Sequence, residues 1–412
     1  MAIYNPSVAG PLFPNLRSLR WTDQVMILAV HVLAAVPSLT SLYLSFEKGD
    51  VPGLKDFLDI VEAQCPNIKR YYISIPRPHP FDKIICSHMR RQKNLQEFRS
   101  YDVIFDGDTI FHLSRISTLT RLSLKRIPSE SHWTVSSDSA LVFPTLTHLE
   151  MGSSSPEMVA GLLSFTRLPV IEELGVEFHA CPLKAAFKSC LATIRNTCSS
   201  SSLATINIRD ERPLGYSSNT SIESDNRLTL DDLHPSMAFI NLRDVHVNLE
   251  WSVDLTDSDL LVLASEWPHL HTLVINEHWG WRTTGGITFQ GLVQLLQKCP
   301  SLVELCVALH TDSHVDLPPG FETGFLPPPC LRKLNLADSP IRSAAVSVLV
   351  DVFVKLGLPV QSYLAWDGWT MHTPGASWRK RAWNRVFDRV TGKCPRLAED
   401  DGSPTDDTGS SD

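Results

Sequence analysis

The sequence predicts an α/β solenoid, a curved arc with a parallel β-sheet on its concave side and helices on its convex side. A short join, apolar–Pro–x–Leu followed by alternating apolar residues, recurs as AAVPSLTSLYL (34–44), AQCPNIKRYYI (63–73), VFPTLTHLEM (142–151), TRLPVIEELGV (166–176), SEWPHLHTLVI (265–275) and QLLQKCPSLVELCVAL (294–309). It returns at intervals of tens of residues, which marks stacked repeats rather than separate globular domains. The segments between joins are apolar on one helical face.

Aligned on the apolar residue two places after the proline position, the anchors are Leu16, Leu39, Ile68, Leu95, Leu119, Leu146, Ile171, Leu203, Leu242, Leu270, Leu302 and Leu331, about twelve irregular units. Their spacing runs from 23 to 39 residues, mostly in or just above the range of about 20–29 for leucine-rich repeats. From each anchor the pattern is L-x-x-L-x-L, as in Leu119, Leu122 and Leu124 or Leu302, Leu305 and Val307. Its last positions alternate as a half-buried strand does. Helices are predicted over 22–35, 53–64, 156–165, 255–266 and 291–297. One strand and one helix cannot bury their apolar faces alone, so the units stack, every strand joining one sheet and every helix closing the core behind it. The proline ends the helix and sends the chain out extended. The residue before it is expected to plug the gap between units.

The helix–C-P-x-L-x-x-L-x-L join resembles the cysteine-containing leucine-rich repeats of F-box proteins, and the irregular units resemble the F-box repeat proteins of mushroom-forming fungi, over about Phe13 to Leu336. That resemblance implies a repeat arc that holds the substrate of a cullin-type ubiquitin ligase. The F-box itself, which binds the ligase's small adaptor subunit, is not present in this chain. Twelve residues precede the first repeat, without the Leu-Pro-x-Glu opening of an F-box helix. Adaptor binding is therefore expected only if an F-box lies upstream, and a scaffold without ligase connection is the alternative. The ladder asparagine of standard repeats, eight places after the anchor, is replaced by Gln24, Glu47 and Glu250.

Hydrophobic content of 43% and charged content of 20% describe a folded chain. A net charge of −8 argues against a general nucleic-acid or membrane-surface binder. The N-terminus lacks the basic-then-apolar pattern of a signal peptide. Nine scattered cysteines without a CxxC pair fit reduced thiols, so a cytoplasmic or nuclear monomer is expected. No HExxH, phosphate loop or nucleophile elbow occurs. His179, Cys181, Cys190 and Cys198 fit no zinc spacing. RTTGGIT (282–288) reads as a turn or, alternatively, an anion site at a helix start. No catalytic residue, cofactor or metal is expected; the rival class is an enzyme of unrecognised fold.

A partner-binding protein would use the strand positions between the core leucines. These are Arg20, Tyr43, Arg70, Tyr72, Arg99, Tyr101, Arg121 and Lys125 in the first five units, then His148, Glu150, Glu173, Glu177, Arg209, Asp244, His246, Asn276, Glu304, Lys333 and Asn335. The sign changes along the arc from basic to acidic, which suits a protein partner better than a phosphate chain. Trp279 and Trp281, close together in NEHWGWRTTGG (276–286), are either loop anchors for a partner or hydrophobic cover for the adjoining unit. The segment 215–227, inside the longest spacing, reads as an insertion.

The chain divides into a lead-in (1–12), the repeats (13–340), C-terminal capping helices (341–396) and a disordered acidic tail (397–412). SWRKRAWNRVFDRV (377–390) puts Trp378, Ala382, Trp383, Val386, Phe387 and Val390 on one stripe, with the basic residues largely elsewhere. It reads as a cap over the open solenoid end, or as a basic nuclear-localisation or lipid-surface element.

Overall fold

In the computed structural model, which describes residues 13–22, 36–127, 140–210, 226–282, 287–311, 327–342, 345–365 and 376–393, the joins at 63–73, 265–275 and 294–309 each fold as one turn between a helix and a strand, and those at 142–151 and 166–176 run on from two-residue strands instead. The expected helix over 22–35, most of the 215–227 insertion and the 397–412 tail lie outside the described residues. Cys65, Trp267 and Cys299 each donate a last helical hydrogen bond, to Val61, Leu263 and Leu295. Then Leu39, Leu270 and Leu302 donate back to Val36, Trp267 and Cys299, closing the turn around the proline. The pre-proline residues Val36, Cys65, Phe143, Leu168, Trp267 and Cys299 are all buried, while the prolines beside them are exposed. The gap between units is plugged as expected.

The turns feed strands β1 (Ser18–Trp21), β2 (Ser41–Ser45), β3 (Arg70–Ser74), β4 (Glu97–Tyr101) and β5 (Arg121–Leu124). A short β6 (Leu141–Val142) precedes β7 (His148–Ser153), and a short β8 (Thr166–Arg167), its parallel partner, precedes β9 (Glu173–Phe178). Next come β10 (Thr205–Asp210), a short β11 (Arg227–Leu228), β12 (Asp244–Asn248), a short β13 (Ser252–Val253) that pairs with β11, and β14 (Thr272–Ile275). β15 (Glu304–Cys306), β16 (Lys333–Asn335) and β17 (Ser362–Leu364) complete one thirteen-stranded parallel sheet in chain order. At every step two successive N–H groups share one carbonyl of the previous unit, as Val303 and Glu304 share His271. Thr118 and Thr145 add a hydroxyl bond to the preceding anchor's carbonyl, Leu95 and Leu119. This repeated clamp fixes one register throughout, so side chains at equivalent positions form rows across the sheet.

The helices lie behind it: α1 (Leu54–Gln64), α2 (Asp82–Met89), α3 (Gly107–Ser114), α4 (Pro156–Ser164), α5 (Lys184–Thr197), the single turn α6 (Leu230–Leu233), α7 (Asp257–Glu266) and α8 (Phe289–Lys298), followed by α9 (Val346–Leu356) and α10 (Ala376–Val390). The second anchor onward is buried in one continuous apolar core. Each buried leucine contributes about 1.5–3 kcal/mol. Helix starts are held locally. Asp106 caps α3 through the Thr109 N–H at 2.8 Å, and Thr256 with Asp259 forms a reciprocal box on α7.

The sheet runs one strand beyond the Leu331 unit. β17 repeats the shared-carbonyl clamp, Gln361 and Ser362 on Arg332, with Val360 in the anchor place. Along α10, Ala382, Trp383, Val386 and Phe387 are buried while Arg381, Arg385 and Arg389 are exposed. Trp383 donates to the Ser339 carbonyl at 3.0 Å, and Phe387 stacks on Tyr363 of β17. The side chain of Trp378 is outside the described residues.

Candidate functional site

Alternation sends the residues between the core leucines onto the open face of the sheet. Its middle row, read through the strand register, is Arg20, Tyr43, Tyr72, Arg99, Ser123, Glu150, Gly175, Asn207, His246, Val274, Cys306, Asn335 and Leu364. The neighbouring row runs from Ser18 and Ser41 through Arg70, Glu97, Arg121, His148, Glu173, Thr205 and Asp244. The sequence-predicted residues in these two rows on β1–β12 therefore share one surface.

Near the centre this surface is hollowed into an open depression of about 340 Å³ lined by Arg99, Arg121, Ser123, His148, Glu150, Glu173, Gly175, Thr205 and Asn207, with apolar Leu122, Leu149 and Leu174. Gly175 makes room for it: a Cβ there would lie 3.1 Å from Cγ of Glu150. At its side His148 Nε2 is 3.0 Å from Glu173 Oε1. Arg121 is exposed and has no ion pair among the described residues.

Four of the predicted contact residues, Lys125, Glu177, Asn276 and Asn335, are buried and not on the solvent side of this surface. Lys125 is 6% exposed and Glu177 2%. The Lys125 ammonium bonds the Glu150 carboxylate and, at 2.8 Å, Glu177 Oε2. Arg209 reaches the same Glu177 oxygen at 2.6 Å, and the Ser123 hydroxyl donates to Glu150 at 2.9 Å. The Lys125 nitrogen also sits 5.7 Å from the centre of the Tyr101 ring. Burial pulls the Lys125 pKa down, but the hydrogen bonds and charges of Glu150 and Glu177 outweigh it and hold the pKa above its ordinary value. Gly152 permits the crossing, since a Cβ there would overlap the Lys125 carbonyl oxygen. Two cations and two carboxylates from four adjacent repeats thus neutralise one another. They tie strands together, with Lys125 and Glu177 closed off from solvent while Glu150 still lines the depression.

The tryptophan loop divides in the same way. Trp281 is 1% exposed, with Nε1 donating to the Ile275 carbonyl at 3.0 Å, so it is core cover and not an anchor. Trp279 is half-buried; its Nε1 donates to Asp210 Oδ1 at 2.6 Å, and the Arg282 guanidinium lies 5.6 Å from its ring centre. The Asp338 carboxylate accepts the N–H groups of Trp281 and Arg282 at 2.6 and 2.8 Å. Between the rings Gly280 has φ +72°, with Asp338 only 2.6 Å from where a Cβ would sit, so glycine is required.

Sequence reasoning also missed how the turn bonds are satisfied. Asn276, fully buried at φ 52°, accepts from Leu249 N–H at 2.9 Å and donates to the carbonyls of Trp251 at 2.8 Å and Gly280 at 3.3 Å. It does a ladder asparagine's work six places after its anchor instead of eight. Lys333 is held by Glu304 at 2.6 Å and Glu277 at 3.3 Å.

Among the described residues no group of three or more His, Cys, Asp or Glu is placed to hold a metal ion, and no helix is long and apolar enough to cross a membrane. Cys190 and Cys198 are buried, and that burial pushes each thiol up to about 12, away from nucleophilic chemistry.

No protein-family model matches the chain, and no curated protein matches it. Solved structures similar to it include the Rad7 and Elc1 complex in yeast, at 15% identity over 74% of this chain and 79% of that one, TM-score 0.41. An internalin (InlF) from Listeria monocytogenes is similar at 13% identity over 82% and 78%, TM-score 0.40. The leucine-rich repeat-containing protein LegL7 from Legionella pneumophila is similar at 11% identity over 92% and 98%, TM-score 0.30.

Proposed function

We propose that this chain is a non-enzymatic protein-recognition module that holds its partner along the concave face, with the central depression as the anchoring point. The observation that carries the reading is that depression: a hollow of about 340 Å³ on an otherwise continuous sheet surface, opened by Gly175 and bordered by Arg121, His148 and Asn207. It is open, and its Ser123 hydroxyl is taken up by Glu150 instead of meeting His148, which suits contact better than chemistry. Trp279 contributes at most its half-buried edge. α10 serves as the cap of the open end, through its buried stripe.

A photo-cross-linking residue at Asn207, on this face, and another at Asn196, exposed on the convex helix α5, test the reading in the native cell. Discrete protein adducts from position 207 and none from 196 are expected. Adducts from position 196 alone would place the partner on the convex side.

A finer reading follows from the helix–C-P-x-L-x-x-L-x-L join, in which Cys65 and Cys299 are each buried at the junction of two units. It makes the arc the substrate-binding part of an F-box-type ubiquitin-ligase adaptor. A pull-down with the cullin adaptor subunit separates this from a scaffold role. Stoichiometric capture supports the ligase connection, and none at micromolar concentration removes it for this chain.

A further inference from the structure

We propose that the concave surface of β1–β5 receives an extended acidic segment of the protein partner. This inference rests on the concave-face reading and names the chemistry of what is bound there. Tyr43 and Tyr72 are register neighbours, and Tyr101 follows on the next strand. Their ring centres are 6.1 and 5.6 Å apart in one diagonal file. All three are half-buried, and none of their hydroxyls bonds a protein group among the described residues. Such rings offer contact area at small entropic cost and a free hydroxyl for a peptide main chain.

Arginines border the file. Arg20 pairs in register with Tyr43, Arg99 with Tyr72, and Arg70 and Arg121 flank Glu97 in the next row. Arg70 Nε donates to Ser41 at 2.8 Å and Arg99 Nε to Glu97 at 2.7 Å, which steadies both forks and leaves their terminal nitrogens without a bond among the described residues. Arg20 and Arg121 have no ion pair there. On the outward positions of these five strands Glu97 is the lone acid against four arginines. A guanidinium fork matches a carboxylate in two-point geometry.

Two features favour a peptide over a phosphate polymer. Past β5 the sign reverses at exposed Glu173 and half-buried Asp244, so a chain of uniform charge would be repelled as it continued along the arc, whereas a protein can change sign with it. Five strands about 4.8 Å apart span roughly 19 Å, the length of about six extended residues. That gives three side chains facing the surface.

The probe is a library of displayed random octapeptides, selected on the full 412-residue chain at low salt. Enriched sequences are expected to carry three or more Asp or Glu. Arg20→Glu with Arg121→Glu should weaken the synthesised peptides by about tenfold or more, as should Tyr72→Ala, with the circular dichroism and melting curve of each variant unchanged. Enriched peptides without acidic bias, no enrichment at all, or acidic peptides that bind the arginine variants as well as the parent would overturn the inference. Neutral peptides lost on Gly175→Val would overturn it while keeping the concave-face reading; peptides indifferent to every one of these variants would sink both. A twelve-nucleotide oligothymidylate that binds more tightly than the acidic peptides at equal salt would replace the peptide with a nucleic acid.

Discussion

Arg121 and Lys125, at the start of β5 and just past its end, leave the same side of the sheet four residues apart and meet opposite fates. Arg121 stands in solvent at the edge of the depression without an ion pair among the described residues. Lys125 is buried between Glu150 and Glu177. An outward position in a strand is therefore no guarantee of availability. What the neighbouring strands place in register decides whether a charge is spent on the fold or left for a partner. The polarity of the arc survives the correction: the basic half keeps Arg20, Arg70, Arg99 and Arg121, and the acidic half keeps Glu173 and Asp244.

The comparison breaks first if the two kinds of charge contribute alike to stability. Glu177→Ala leaves buried Lys125 with Glu150 alone and removes the carboxylate that Arg209 bonds, and removing one partner of a buried ion pair costs up to about 3–5 kcal/mol. Arg121→Ala should stay within about 0.5 kcal/mol. Denaturant unfolding followed by circular dichroism measures both, and equal losses would mean that the buried network is no staple. Leu302→Ala, in the core behind the same sheet, should cost about 2–5 kcal/mol and loosen hydrogen exchange in the units on either side.

How much of this was legible depended on whether a signal was local. The anchors, the plug before each proline and the stripe of α10 follow from period and chain stiffness, so the sequence contains them. β17 was hidden because Val360 stands one place after Pro359 rather than two, which hides the unit from a search keyed to the proline. Lys125 and Glu177 were misread because alternation reports which side a residue leaves from, not what the strand two repeats away places opposite. Asn276 was misread as a contact position because it does a ladder asparagine's work two places earlier than expected. Gly175, the floor of the depression, carried a signal that was available: a glycine at an outward position inside a strand, where a close approach or a gap is implied.

Smaller effects sharpen the contrast. Beneath the tyrosine file His88 is buried against Tyr71, and burial lowers its pKa from 6.5 to about 4. The unfolded chain thus takes up this proton first. The His88 contribution is complete above about pH 6.5 and is lost as the pH falls towards 4, amounting to at most about 3 kcal/mol. His88→Phe should flatten stability against pH across that window, and an unchanged slope would show that the histidine is not the acid-sensitive group. Gly175→Val should fill the depression and weaken partner binding while costing under about 1 kcal/mol, because its side chain enters open space beyond the Glu150 contact. A loss of fold would show that the glycine is structural instead.

The most direct test of the concave-face account is the association rate of the cross-linked partner, once purified, with the parent chain and with Arg70→Glu/Arg99→Glu/Arg121→Glu, measured over a series of salt concentrations. The account predicts a slower association, a flatter salt dependence and an unchanged melting curve. A correctly folded triple variant with the parent's rate and salt dependence would contradict it.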